Sequence, residues 1–346
     1  MNNKLISNIK KDEVAGRTAT PMKAVAMLSG GLDSRLAVRL IQEQGIEVTA
    51  LNYITPFCTC TAKSSCRLEA KKASEEYGID LKVFYVFEEF IEIIKEPKYG
   101  YGRGLNPCLD CRILMFRRAK EYMDEIGASF LVTGEVLGER PMSQRPDAMR
   151  IIEHDSGLAG LIVRPLSAGL LEPSIPEQRG WVDREQFLNI SGRSRKPQIE
   201  LAERLGLNDY PCAAGGCLLT DKDFASRLKE LLMQNPNPGQ NEMMLLKVGR
   251  HRAFTDGRIV VGRNEKENFR IQTLARDGDL LMEVKDYLGP ITLIRGVISE
   301  EIIEKAARLT ARYSKGKHEA RLLVDYWPAG DSERREIAVD QFESDG

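Results

Sequence analysis

The run Ser29-Gly30-Gly31-Leu32-Asp33-Ser34 constrains this chain more than any other stretch. Ahead of it, Ala24-Val25-Ala26-Met27-Leu28 is short and wholly apolar, the pattern of a buried parallel strand. Behind it, Leu36, Ala37, Leu40 and Ile41 recur at helical spacing, and Gly45 stops the run. A Gly-Gly turn between strand and helix leaves backbone N–H groups pointing outward. With the positive end of the helix dipole they make an anion site. Ser29 and Ser34 add hydroxyl donors. Asp33 beside an anion makes sense if it caps the helix or shares a Mg2+ ion. No lysine follows the glycines, so the run is not Gly-x-x-x-x-Gly-Lys-Ser/Thr, and it is not Gly-x-Gly-x-x-Gly.

The alternation continues downstream. Strands are expected at 46–53, 81–86 and 128–133, with helices over 67–77, 88–95 and from the 106–111 loop to about 126. This spacing predicts an α/β fold built on a doubly wound parallel sheet. Ligands of such sheets sit at the carboxyl ends of the strands, which sets 29–34, Asn52, the 106–111 loop, Gly134 and Glu135 along one rim. Residues 135–190 are loop-rich. A helix is expected over 193–205, and Asp221 should cap another that reaches Gln234. Asn235-Pro-Asn-Pro-Gly-Gln-Asn241 reads as a linker. The expected organisation is an extension (1–20), a nucleotide-loop domain (21–180), a helical extension (181–234), the linker (235–241), a small α+β module (242–330) and an acidic tail (331–346). In the module, strands are expected at 258–262, 268–273 and 291–294, and a helix at 300–312.

No apolar run approaches the 18 or so residues of a membrane-spanning helix, and residues 1–20 lack the apolar stretch of a secretion signal. A cytoplasmic location is the expectation. Seven cysteines then argue for metal binding or catalysis rather than disulfides. Net charge is −1 overall, but residues 242–330 carry 16 Lys and Arg against 13 Asp and Glu. A mildly basic module suits RNA contact without requiring it. Arg193, Arg195 and Lys196, just ahead of a helix, are candidates for phosphate contact. Tyr99 and Tyr101 could stack on a base or only cover the site. His154, His251 and His318 are too scattered for a triad.

Cys108-x-x-Cys111 sits at a loop-to-helix junction, where a thiolate gains from the helix N-terminus. Cys217 follows in a Gly-rich turn. Three thiolates could hold a [4Fe–4S] cluster with one iron open, or two could work as nucleophile and persulfide carrier. Cys58, Cys60 and Cys66 make a second group that could bind a metal, with Cys212 as a fourth ligand.

The Ser-Gly-Gly-Leu-Asp-Ser run resembles the pyrophosphate loop of the PP-loop (N-type) ATP pyrophosphatases. Together with Asn106-Pro107-Cys108-x-x-Cys111, Thr133-Gly134-Glu135 and Gly215-Gly216-Cys217-Leu218-Leu219-Thr220-Asp221, it resembles the tRNA thiouridine synthetases, both 2-thiouridylases and 4-thiouridine synthases. The likeness covers about 21–234. Val261-Gly262-Arg263-Asn264 and Lys285-Asp286-Tyr287-Leu288-Gly289-Pro290 are similar to the NFACT-R RNA-associated domain. The resemblance implies an ATP-dependent tRNA sulfurtransferase that adenylates a uridine carbonyl and replaces its oxygen with sulfur, releasing AMP and pyrophosphate. It implies an ATP site of Ala26, Met27, Ser29, Gly30, Gly31, Asp33, Ser34, Asn52, Gly134 and Glu135. Asp33, Cys111 and Cys217 would be catalytic, with Cys111 attacking the activated base and Cys217 carrying the persulfide. In cluster-bearing relatives Cys108, Cys111 and Cys217 would bind iron. The implied partners are tRNA and a sulfur donor, with room for a homodimer. Two other readings stay open: a PP-loop ATPase that transfers sulfur to or amidates a small molecule, and an RNA-binding protein with a relic ATP site.

Overall fold

The computed structural model describes residues 22–58, 66–211 and 216–340, with the side chain of Cys66 left aside. The calls on Cys60 and Cys212, and on the Cys66 side chain, lie outside the described residues. Strands β1 (Lys23–Met27), β2 (Glu47–Ile54), β3 (Leu81–Tyr85), β4 (Phe130–Thr133) and β5 (Ile162–Val163) form one sheet in the order β3-β2-β1-β4-β5. β1 pairs in parallel with β2 and with β4, and β4 in parallel with β5. The helices are α1 (Leu32–Gln42), α2 (Cys66–Tyr77), α3 (Glu88–Lys95), α4 (Cys108–Ile126), α5 (Pro146–Asp155), α6 (Ile175–Gln178) and α7 (Lys196–Arg204). The α/β expectation holds. Strand order reverses around β1, so the loop after β1 lies at the switch point where open α/β sheets bind ligands. β1 and β4 are buried on both faces, as near-continuous apolar runs require.

The chain divides into two compact units, residues 1–52, 66–83 and 115–212, and residues 53–65, 84–114 and 213–346. The glycine loop, Gly134 and α7 fall in the first. Cys58, Cys108, Cys111, Cys217 and the whole C-terminal module fall in the second.

After α8 (Lys222–Gln234) and α9 (Gln240–Leu245) come β6 (Arg250–Phe254), β7 (Gly257–Val261), α10 (Glu265–Leu274), β8 (Leu280–Val284), β9 (Thr292–Gly296), α11 (Glu300–Arg312), β10 (Arg321–Pro328) and β11 (Arg335–Asp340). Their strands make an antiparallel sheet in the order β11-β10-β8-β9-β7-β6. Period-two alternation splits its side chains between two cores. Ile259, Val261, Met282, Val284 and Ile294 pack with Ala306, Ala307 and Ala311 of α11. Val260, Leu281 and Leu293 pack instead with Leu245, Val248, Ile271 and Trp327.

Two expectations are corrected here. Residues 268–273 are helix, not strand: Asn264 caps α10 by accepting a hydrogen bond from the Glu267 N–H at 3.1 Å. The cap and the Arg263–Glu267 ion pair one turn on outweigh the β-rich composition of Phe269-Arg-Ile-Gln-Thr273. The acidic stretch after 330 is not a separate tail either. Its residues 335–340 are β11, paired along its full length with β10, and Val339 is buried in the α11 core.

The linker is also less of a break than its prolines suggest. Met243 and Leu246 of the α9 segment are buried with Phe57, Phe90, Leu219 and Phe224 around the cysteines, while Leu245 and Val248 belong to the sheet core.

Candidate active site

The loop after β1 is held from three sides. Gly30 has φ +80°, and an added Cβ would stand 2.5 Å from the backbone carbon of Glu69, so only glycine fits. The Arg35 guanidinium, wholly buried, donates from Nε to the Gly30 carbonyl at 3.1 Å and from Nη1 to the Asp209 carbonyl at 2.6 Å. Gly134, at the end of β4, lies so close that a Cβ would meet the Asp33 backbone at 2.5 Å. The Ser34 hydroxyl donates to the Gly31 carbonyl at 2.8 Å and lies 3.2 Å from the Ser29 hydroxyl. Asn52 donates from Nδ2 to the Leu28 carbonyl at 2.9 Å. Ala26 is buried within β1, and Met27 ends that strand.

Asp33 is the group left with business unfinished. Its Oδ1 is buried with no hydrogen-bond partner, and so are Asn52 Oδ1 and both amide atoms of the fully buried Gln198. Orphaned polar atoms cost free energy unless something binds them. Burial raises the Asp33 carboxyl above the usual carboxylate range. Arg195, then the nearby Gln198 amide (not in good hydrogen-bond geometry), then Arg140 work against the rise. Glu139 is likewise raised, by burial and then by the Asp33 charge. Two carboxylates and two guanidiniums thus converge beside the anion loop.

Glu139, Arg140, Gln198 and Arg35 were not found from the sequence, since none belongs to a motif. A weak signal existed for Arg35 and Gln198, polar residues set among the apolar positions of their helices. Arg195 comes to the loop, while Arg193 and Lys196 are solvent-exposed. Glu135 does not face solvent. Its Oε2 accepts from Arg164 Nε at 3.0 Å, and Arg164 also pairs with Glu153. Burial opposes the charge on Arg164, yet the two carboxylates hold its pKa above the ordinary value.

In the second unit the 99–106 loop is laced to the turn after Cys217. Leu105 N–H donates to the Leu219 carbonyl at 3.0 Å, and a Cβ on Gly104 would strike that same carbonyl. Asp110 accepts from the Lys98 and Tyr99 N–H groups at 3.0 and 3.2 Å, so it organises backbone. Tyr101 donates its hydroxyl to the Ile94 carbonyl, a covering role. Asp221 caps α8, accepting from Phe224 N–H at 2.8 Å, as the sequence indicates. This lacing brings the start of α4 to Cys217. Asn106 Nδ2 donates to Cys108 Sγ at 3.0 Å. Cys58 joins the same group: it forms an isolated antiparallel bridge with Cys217.

The expected gain of Cys111 from the helix N-terminus is overridden. Burial pushes its thiol well above the ordinary cysteine range; Arg112 opposes this, while Cys217, Cys108 and Cys58 add to it. Cys111 should therefore alkylate slowly near neutral pH, roughly tenfold or more below an exposed thiol, and speed up only at strongly alkaline pH. Timed iodoacetamide labelling with peptide mapping measures this. Labelling of Cys111 as fast as Cys108 at pH 7 would show an accessible thiolate instead.

Residues 19–170 match the family described as thiamine biosynthesis protein (ThiI), and residues 249–346 match the NFACT protein RNA binding domain. The chain joins a ThiI-type PP-loop domain to an NFACT RNA-binding domain. The tRNA-specific 2-thiouridylase MnmA of Leptospira interrogans is 32% identical over 266 residues, which is 72% of this chain and 64% of that protein. The chain thus spans under two thirds of that relative's length. A 4-thiouridine synthetase–RNA complex with bound ATP is 22% identical, covering 62% of this chain and 50% of that one at TM-score 0.38. The U34-tRNA thiolase NcsA from Methanococcus maripaludis with its [4Fe–4S] cluster is 20% identical, covering 64% and 70%, at TM-score 0.31. The ThiI match covers the loop, both cysteines of the Cys-x-x-Cys pair and Gly134. The NFACT match reaches through β11, in line with the corrected boundary.

Among the described residues, no helix is long and apolar enough to cross a membrane.

Proposed function

We propose that this protein is an ATP-dependent tRNA sulfurtransferase. A carbonyl oxygen on a base is a poor leaving group. Transfer of AMP to that oxygen makes it a good one and splits a hard substitution into two steps. The observation that carries the reading is the rigid anion loop with the orphaned Asp33 Oδ1 beside it, in a chain that also gathers four thiols and an RNA-binding domain. Ser29, Gly30, Gly31 and Ser34 would hold the pyrophosphate portion of ATP. Ala26, Met27, Asn52 and Gly134 would shape the site, and Arg140 and Arg195 would balance phosphate charge. Asp33 and Glu139 fit a shared Mg2+ ion, because each carboxyl is raised by burial and a cation with phosphate oxygens would relieve that. Glu135, locked to Arg164, would position Gly134 rather than touch ATP.

Cys217 would carry the sulfur as a persulfide, and sulfur would then replace the adenylated oxygen. A [4Fe–4S] cluster on Cys108, Cys111 and Cys217 is the second reading, motivated by their mutual electrostatic influence. The thiols as placed do not fit it: among the described residues, no three His, Cys, Asp or Glu side chains group so as to hold a metal ion. No step here runs through a cluster. Iron analysis after anaerobic purification separates the readings. The relay expects an active protein without stoichiometric iron, and iron lost together with activity in Cys108→Ala would establish the cluster.

The reading as a whole is tested with the full chain, Mg2+-ATP, unmodified tRNA and a persulfide donor. One AMP and one pyrophosphate should appear per thiouridine found by nucleoside mass spectrometry. Nucleotide turnover that ignores tRNA would favour a small-molecule acceptor, and tRNA binding without turnover would favour the relic-site reading.

A further inference from the structure

Cys58 was grouped by sequence with Cys60 and Cys66, yet the fold sets it against Cys217. The bridge between them is antiparallel, and the Leu218 N–H donates to the Phe57 carbonyl at 3.0 Å. That bond joins the residue before Cys58 to the residue after Cys217. The two cysteines therefore form a non-hydrogen-bonded pair, the kind whose Cα atoms lie about 4.5 Å apart with side chains on one face. That separation is within the roughly 4.4–6.8 Å Cα range of disulfides. Both residues are half-buried thiols. The Thr55 hydroxyl lies 3.6 Å from Cys58 Sγ, and Lys247 Nζ sits on the Cys58 carbonyl at 3.5 Å. A hydroxyl and an ammonium next to a thiol both favour its anion.

We propose that Cys58 is the resolving thiol for a persulfide on Cys217, a further catalytic residue of the sulfur-transfer reaction. The proposal rests on Cys217 as the persulfide carrier. The Cys58 thiolate attacks Sγ of Cys217. A bond forms between the two Sγ atoms, and the bond from Cys217 Sγ to the outer sulfur breaks. The outer sulfur takes the electron pair and leaves as hydrosulfide with its own proton, while the Cys58 proton goes to solvent. Sulfane sulfur is reduced and the two cysteine sulfurs are oxidised, so no external oxidant is needed. Hydrosulfide is the product that can displace AMP from an adenylated carbonyl carbon. The disulfide left behind is reopened by a dithiol reductant, one per turnover.

The test uses the full-length protein, reduced and then freed of reductant under anaerobic conditions, and loaded with inorganic tetrasulfide. Peptide mapping without reduction should find a Cys58–Cys217 disulfide, with hydrosulfide released in equal amount. In Cys58→Ser the persulfide on Cys217 should survive at least tenfold longer. The wild-type mapping needs no variant to fold. Persulfide on Cys217 that decays equally fast in both proteins, or a bridge from Cys217 to any other cysteine, would overturn the resolving role. Failure of Cys217 to take up sulfur at all would instead overturn the persulfide reading beneath it.

Discussion

Gly134→Ala is expected to lower ATP-dependent pyrophosphate release by roughly 100-fold or more, the scale seen when preorganised contacts to a reacting anion are lost. The added methyl would stand 2.5 Å from the carbonyl carbon and oxygen of Asp33 and from the Ser34 nitrogen. Those are backbone atoms and cannot swing aside as a side-chain tip can. The loop must move, and with it the N–H groups that would face phosphate. Gly239→Ala is the control: its φ is −76°, and a Cβ there meets only the tip of Glu242 at 3.9 Å. Pyrophosphate release should be measured for both, with circular dichroism to show that secondary structure persists. A Gly134→Ala rate within threefold of wild type would remove the loop from the chemistry.

Arg164→Ala is expected to be the most damaging single change to stability, at roughly 3–5 kcal/mol, because it strands two carboxylates without their cation. Arg164 is 5% exposed and Glu135 3%, so solvent can do little for either charge. Glu135 follows Gly134 directly, so the loss also loosens the residue that braces the loop. Thermal melting should shift down by roughly 10 °C for a unit of this size. Replacing Glu135 by Gln should cost less, because an amide oxygen still accepts from the guanidinium and leaves no buried charge unpaired. Melting of Arg164→Ala within 2 °C of wild type would show that water reaches the triad after all.

The parallel sheet was legible because each strand is a short apolar run closed by a glycine or a charged loop, and because the Gly-Gly turn fixes where the first crossover begins. The C-terminal sheet was only partly legible. Strands such as Arg250–Phe254 and Arg321–Pro328 mix charged and apolar residues, having one wet face. The α10 segment reads as strand by composition, and its helical state depends on an Asn cap and one ion pair. At the loop, the motif disclosed Ser29 to Ser34 but not Glu139, Arg140 and Gln198, which reach it only through tertiary packing. The cysteines failed in a similar way. Proximity in sequence tied Cys58 to Cys60 and Cys66, whereas a single backbone bridge ties it to Cys217.

The α9 segment turns Met243 and Leu246 toward the cysteines while Leu245 and Val248 turn toward the sheet. Adjacent side chains of one short helix therefore serve two cores at once. A chain cut after Gln240, or a hybrid joined there to a foreign RNA reader, would open a hole beneath the thiols as it removed the reader. The RNA-binding module is in this sense also the floor of the sulfur chemistry, and lineages that exchanged one would have had to rebuild the other.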